Sequence, residues 1–241
     1  MQRATNRTDH EHRRATQADH AFTLIRNDIL SCRVKPGAKL KIAELCERYD
    51  FSLGSVREAL SRLTGDGLVV AEPQKGYSVA PVSRDELVDL TRARVELEAL
   101  CMADSIRNGD LRWESALLAT LHRLRHLPER DPEDTSRLDD QWSTAHQEFH
   151  AALVSGCTNR WLLRMRAILY AQSERYRRLS VPLRTEPRDV NAEHHEMVKA
   201  ALARDVAQAR RLIEIHFETT TRLILQGLDL TDDNATRHEI E

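Results

Sequence analysis

Four histidines carry the most pointed chemistry in the chain. His146 and His150 are four residues apart, one helical turn, and so lie on the same face of a helix. His194 and His216 each stand 11 residues from Asp205 (205 − 194 and 216 − 205). Only Arg204-Asp205 separates two helical stretches here, a tight αα-hairpin with Asp205 as N-cap, so its antiparallel helices would bring the two rings to one level. A pair from one helix plus one residue from each of two others is how helical bundles build an internal metal site. The plainer alternative is four separate histidines, each solvated or singly hydrogen-bonded. His195 adjoins a candidate ligand but is rotated off its face.

A second constellation is set up for nucleic acid. In Ser52-Leu53-Gly54-Ser55-Val56-Arg57-Glu58-Ala59-Leu60-Ser61-Arg62-Leu63-Thr64-Gly65-Asp66-Gly67-Leu68, residues Val56, Leu60 and Leu63 form one apolar stripe of a short helix. Arg57 and Arg62 lie off that stripe. Ser52 can cap the start, Ser55-x-x-Glu58 fits a capping box one turn later, and Gly65 and Gly67 supply the stop. A helix with an apolar back, a basic front and the small residues Ser52, Gly54 and Ser55 at its N-terminus suits entry into the major groove.

The elements that must position this helix are readable on either side. Ala21 to Arg33 is helical, with Phe22, Ile25, Ile29 and Leu30 as its apolar set, and stops before Pro36-Gly37. Ile42, Leu45 and Cys46 mark a second short helix. Leu68 to Glu72 and Tyr77 to Ala80 read as strands around the turn Pro73-Gln74-Lys75-Gly76. Three helices and a hairpin make a winged helix-turn-helix, with Lys75 and Gly76 at the wing tip, where Lys can meet phosphate and Gly allows close approach.

Bulk composition alone would not suggest DNA. The 241 residues carry 36 Lys+Arg against 38 Asp+Glu, a net charge of −2, so no global basic field exists. Residues 20 to 80 hold nine Lys/Arg against seven Asp/Glu, a mild excess. An apolar fraction of 41% suffices for packed cores. No run reaches the ~20 apolar residues of a membrane span, and no signal-peptide pattern opens the chain. The four cysteines, Cys32, Cys46, Cys101 and Cys157, lack CxxC spacing and read as buried thiols of a cytoplasmic protein.

Ile25 to Val79 resembles the DNA-binding domain of the GntR family of bacterial transcription regulators. The matching stretches are Val34 to Leu40, Val56-Arg57-Glu58-Ala59-Leu60, Arg62-Leu63, Asp66-Gly67-Leu68 and Lys75 to Val79. The resemblance implies that Ser52, Ser55 and Arg57 approach double-stranded DNA, with Gly76 at the wing. Members often carry Arg directly after the Ser52 position, where this chain has Leu53, which points to an altered operator sequence or to weaker binding. Arg57 is the best candidate for reading a base edge, a guanine by its chemistry. The DNA-binding set is therefore Ser52, Gly54, Ser55, Arg57, Arg62, Lys75 and Gly76.

From Ser83 onward the pattern is almost wholly helical, in six segments: 83–108, 110–126, 134–156, 159–181, 188–203 and 206–229. The breaks fall at Asn108-Gly109, Pro128 to Pro132, Gly156 to Asn159 and Pro182 to Pro187. The expected organisation is a mostly α chain: a disordered tail over 1–19, a winged helix-turn-helix over 20–80, a linker over 81–85, a six-helix all-α bundle over 86–229 and a polar tail over 230–241.

This helical half resembles the FCD effector domain of the FadR subgroup of the same family. The carriers are Arg94-Val95-Glu96-Leu97-Glu98, Ala145-His146-Gln147-Glu148-Phe149-His150-Ala151-Ala152-Leu153, Glu193-His194 and Ile215-His216. In metal-binding members an Asp and three His hold a divalent ion, and here His146 stands at the Asp position. The four imidazoles of His146, His150, His194 and His216 suit Zn²⁺ or Ni²⁺; the alternative is a three-His or empty site. An ion with neutral ligands and open positions is a docking point for an anion, and the family's effectors are small organic acids. Arg94 and Arg175 would clamp the remaining oxygens and Tyr176 would add a hydroxyl; an exposed basic face is the other reading of Arg175 to Arg177. The wording around Trp142, Cys157 and Arg175 to Ser180 resembles the branch of carbon-starvation repressors of glutarate use, which implies a short dicarboxylate.

The reading that results is a homodimeric, effector-responsive repressor and not an enzyme. It would bind a pseudo-palindromic operator and release it when a carboxylate docks at the metal. One rival is a metal-dependent hydrolase fused to a DNA-binding module, since an open metal position can activate water. Against it, Glu148 is two residues off the histidine face and no other carboxylate stands at a clear general-base position. A third reading is a regulator whose metal is structural or absent.

Overall fold

The computed structural model describes residues 17–179, 181 and 188–238, with side chains as far as 227. Residues 1–16 of the tail expected over 1–19, and the break at Pro182 to Pro187, lie outside these residues. The chain forms two compact units, 1–83 and 84–241.

In the first unit, helix α1 occupies 17–30, so the helical pattern begins inside the stretch expected as tail. The others are α2 (Ile42–Tyr49) and α3 (Leu53–Gly65), with strands β1 (Lys39–Leu40), β2 (Val69–Glu72) and β3 (Gly76–Val79). The sheet is antiparallel in the order β1-β3-β2, with Leu40 opposite Tyr77 and Val69 opposite Val79. The expected two-stranded hairpin is therefore three-stranded; a two-residue strand has no periodicity to display and is held only by its pairing to β3. Ile25, Ile29, Leu45, Val56, Leu60, Leu63 and Leu68 bury the apolar faces of the helices in one core. A buried carboxylate fastens it at one edge: Asp28 accepts from Arg33 Nε at 2.7 Å and from the Tyr49 hydroxyl, tying α1 to the end of α2.

The start of α3 follows its sequence signal. Ser52 is the N-cap and its Oγ accepts from the Ser55 backbone N–H at 3.2 Å. The capping box expected at Ser55 does not form, because Ser55 is already within the helix. In the wing turn Gln74 and Gly76 take positive φ, +66° and +85°, the left-handed region that Gly tolerates best.

The second unit contains α4 (Arg84–Asn108), α5 (Leu111–Arg125), α6 (Asp140–Leu153), α7 (Arg160–Leu179), α8 (Val190–Leu202) and α9 (Val206–His238). All six expected helices are present, with two differences at their ends. Helix α6 starts later than expected because Asp139 caps it, accepting from Trp142 N–H at 2.8 Å, and the preceding residues form a loop bridged between Arg130 and Leu138. Helix α9 continues to His238, through the stretch expected as polar tail. Cys101 and Cys157 are buried, whereas Cys32 and Cys46 are only half-buried, contrary to expectation.

The bundle core is built from Met102, Ile106, Trp113, Leu117, Leu124, Phe149, Leu153, Met197 and Phe217. Trp113 donates its indole N–H to the Ala152 carbonyl at 3.0 Å, satisfying its polar atom inside. Asp205 caps α9 by accepting from Gln208 N–H at 2.9 Å, and Arg204 turns the hairpin at φ +60°. Buried Glu98 and Arg166 pair through Oε2–Nε at 2.7 Å and Oε1–Nη2 at 2.8 Å. Arg166 Nη2 also donates to the His150 carbonyl at 2.8 Å, so this pair holds α6 against α4 and α7.

Candidate metal centre and recognition helix

The bundle gathers the four histidines from three helices. His146 and His150 come from α6, His194 from α8 and His216 from α9, and all four are buried. Their rings sit 4.5 Å apart for His146 and His150, 5.4 Å for His150 and His194, and 5.0 Å for His194 and His216. One ligand atom from each can be chosen so that all lie within 4.8 Å of one another. The level pairing expected across the Asp205 hairpin is thus what α8 and α9 produce. His195, one residue on, is exposed.

Their chemistry fits a cation. Burial, together with neighbouring imidazoles and cations, holds all four rings below their ordinary pKa and so neutral. Both ring nitrogens of His150 and His194, and Nδ1 of His146, are buried with no hydrogen-bond partner. Orphaned buried nitrogens cost free energy unless something binds them, and neutral imidazole is the form that ligates. His216 is oriented from behind: Glu193 Oε2 lies 2.6 Å from its Nδ1, which leaves Nε2 for an ion. Burial would raise the Glu193 carboxyl, but hydrogen bonds from Arg188 and His216 bring it down to about 2. Arg188 meets both Glu193 oxygens at 2.7 Å.

Two small cavities, of about 30 and 40 Å³, border the cluster and share His146, Arg177, His216 and Thr220 as walls. The first adds Arg188, Trp142 and Glu129; the second adds Arg94, Tyr170, Glu174 and Tyr176. Trp142 stacks on His146 at 4.8 Å, and Arg177 lies 5.2 Å over the Trp142 ring. Arg94 packs over Phe217 at 4.0 Å and over Tyr170 at 5.5 Å. Tyr176 donates its hydroxyl to Glu86 at 2.5 Å. The Tyr170 hydroxyl is buried without a partner, and burial raises its pKa.

Of the expected effector residues, Arg94 and Tyr176 line the second cavity. Arg175 lines neither; it is fully buried and donates to Gln172 at 2.8 Å. Two residues along a helix turn the side chain by about 200°, so Arg177 takes the place on the cavity wall that was expected of Arg175. Sequence reasoning also missed Arg188, which sits just before α8 without periodicity to mark it, and Tyr170, whose apolar helical position resembles any core aromatic. Glu148, the weak candidate for a general base, is exposed and paired with Arg123.

In the first unit, α3 presents Ser52, Leu53, Gly54, Arg57, Glu58, Ser61 and Arg62 as exposed residues. Arg57 extends free of any partner among the described residues. Arg62 is engaged instead, bonded to Asp19 at 2.5 Å and packed 4.3 Å over the Phe22 ring. Ser55 is 3% exposed and its hydroxyl lies 2.9 Å from Ser52 Oγ, so it faces inward, against expectation. Small polar residues near a helix start read alike in sequence whether they cap or contact. Lys75 is exposed at the wing and pairs with Glu72 at 2.7 Å; around Gly76 a Cβ would meet nothing within 4 Å.

Comparison with known proteins agrees with both halves. Residues 17–79 match the gntR family of bacterial regulatory proteins and residues 89–219 match the FCD domain. The chain belongs to the GntR family and carries an FCD domain. It is 40% identical over 205 residues to the HTH-type transcriptional regulator BphR of Paraburkholderia xenovorans, covering 85% of this chain and 84% of that one. It is 36% identical over 214 residues to the HTH-type transcriptional repressor GlaR of Escherichia coli, covering 86% and 95%. The solved structure of Escherichia coli McbR/YncC superposes with a TM-score of 0.72 at 20% identity, covering 87% of this chain and 97% of that one, a likeness of fold. The GntR protein is a DNA-binding transcription regulator and not an enzyme. Among the described residues no helix is long and apolar enough to cross a membrane.

Proposed function

We propose that the protein is a cytoplasmic, homodimeric repressor that holds Zn²⁺ or Ni²⁺ at His146, His150, His194 and His216 and is released from its operator by a small carboxylate. The observation that carries this reading is the buried four-histidine cluster, with orphaned nitrogens, set against cavities walled by Arg94, Arg177 and Arg188. Three guanidiniums beside a cation site favour an anion that can use both.

The ion supplies a Lewis-acidic docking point for one carboxylate oxygen. The chain supplies the rest: the Glu98–Arg166 pair holds the His150 backbone, Glu193 fixes the His216 tautomer, and Trp142 backs His146. Arg94, Arg177, Arg188 and Tyr170 wall the cavities on the effector's side, and Arg177 and Arg188 would exchange part of their pairing with Glu174 and Glu193 for the acid's remaining oxygens. Cavities of about 30 and 40 Å³ each hold a few waters at most. An acid of four to six carbons enters only when the shared wall at Arg177 and Thr220 gives way. Such an opening is the difference between states that an effector needs in order to shift DNA affinity.

On the DNA side, Arg57 reads a base edge, the Ser52 and Gly54 end of α3 approaches the groove, and Lys75 and Gly76 meet phosphate at the wing. Two copies would read the halves of a pseudo-palindrome. The likeness to the repressor GlaR supports repression as the mode.

The test is thermal shift on chelated and metal-reloaded protein with C3 to C6 mono- and dicarboxylates. A ligand at 100 times its Kd adds roughly 2.7 kcal/mol of stability. A shift that needs metal and is absent in His194→Ala supports the sensor; metal stabilisation with no response to any acid leaves a structural ion.

A further inference from the structure

Leu53 is the first residue of α3 and is 52% exposed, an aliphatic side chain standing in water where the other exposed residues of the helix are small or polar. Its neighbours Ser55 and Val56 turn inward, and a Cβ on Gly54 would meet nothing within 4 Å, so the ground beside Leu53 is open. Arg57 is four residues on, which puts both side chains on one face of the helix. Leu53 is not part of the apolar core of this unit, and among the described residues no hydrogen bond or ion pair engages Arg57. The first turn of a recognition helix is the part that reaches base edges.

We infer that Leu53 reads the 5-methyl group of a thymine next to the base read by Arg57. The inference rests on the DNA-binding reading of α3 given above. An alkyl group can take no hydrogen bond from a base edge and gains nothing from phosphate. In the major groove the thymine methyl is the one apolar feature of the unmodified bases. Contact between the two removes apolar surface from water on both sides and excludes cytosine, adenine and guanine, which present polar edges there. Leucine thus makes the position selective without a hydrogen bond, while the guanidinium of Arg57 fixes the register beside it.

The experiment is selection of binding sites by the full-length protein from a random pool of duplex DNA, run in parallel with Leu53→Ala and Leu53→Arg. Because Leu53 is exposed, both variants are expected to fold with wild-type thermal stability, which is measured alongside. The wild type should enrich half-sites with a fixed thymine. Leu53→Ala should keep the rest of the motif but accept any base there, and Leu53→Arg should replace thymine by guanine. In the selected duplex, uracil in place of that thymine should weaken wild-type binding roughly fourfold per half-site, the effect of about 0.8 kcal/mol for one buried methyl-sized group, and leave Leu53→Ala unaffected. Identical motifs for wild type and Leu53→Ala, or no response to uracil, would overturn the inference while leaving α3 as the recognition helix. Failure of the wild type to enrich any motif would overturn the DNA-reading role of α3 and this inference with it.

Discussion

Glu193 Oε2 stands 2.6 Å from Nδ1 of His216. The carboxylate thereby decides which nitrogen of His216 carries the proton and which is offered to an ion. Arg188 holds the same carboxylate at 2.7 Å through two nitrogens, so a charged residue just before α8 sets the aim of a candidate ligand on α9.

Replacing Glu193 by Gln should weaken metal binding by about 10- to 100-fold while leaving the helical fold intact. Competition against a chromophoric chelator measures it. An unchanged affinity would mean that His216 needs no orientation from behind.

The recognition helix gives a prediction with a built-in control. Arg57→Ala should cost about 1–3 kcal/mol of operator binding and relax the preference at one base pair. Ser55→Ala should change affinity far less, since its hydroxyl turns inward toward Ser52. Fluorescence anisotropy on a labelled duplex separates them. Equal losses would place Ser55 at the DNA after all.

Much of this arrangement was legible beforehand, for physical reasons that can be named. The equal spacing of His194 and His216 from Asp205 translates directly into level rings because an αα-hairpin has no freedom of register. Ser52 announces α3 because a side-chain oxygen at that point can satisfy a free backbone N–H, as it does for Ser55. Strand β1 was invisible, being two residues long and defined only by what it pairs with. Arg175 and Arg177 could not be told apart as wall residues, since neighbouring basic positions leave the helical phase open until the core side of α7 is known. Arg188 has no periodicity around it at all.

The buried Glu98–Arg166 pair offers a test of packing against charge. Arg166→Met alone should destabilise by about 3–5 kcal/mol, because it strands a buried carboxylate and releases the His150 carbonyl. Combining it with Glu98→Leu should recover a large part of that loss. Denaturant unfolding of the two variants checks it; a double variant no more stable than the single one would contradict the argument.

Gly156 fits where no side chain can. A Cβ there would lie 2.8 Å from the Ser105 carbonyl oxygen and 3.2 Å from the Gly109 Cα. Gly156→Ala should therefore lower stability by about 1–3 kcal/mol by forcing α4 and the loop after α6 apart. A melting temperature equal to that of the wild type would show that the loop yields freely.

The Tyr49–Asp28 contact predicts an alkaline limit for the first unit. Burial first, then the Asp28 carboxylate, pushes the Tyr49 phenol up to about 12 from its ordinary 10. A folded pKa above the unfolded one means the folded state keeps its proton longer, so this contribution is full below pH 10 and is lost as pH rises from 10 to 12. Stability measured against pH should fall over that window in the wild type and fall less in Tyr49→Phe. Parallel curves would exclude the contact as the cause.

On the proposed reading, one buried metal site couples an organic acid to DNA release. This coupling is tested most directly by titrating C4 to C6 dicarboxylates into the complex of metal-loaded protein with a labelled operator and following anisotropy. At least one acid should dissociate the complex, chelation should abolish the response, and His194→Ala should bind DNA but no longer release it. A complex indifferent to every acid, or one that responds equally without metal, would contradict it.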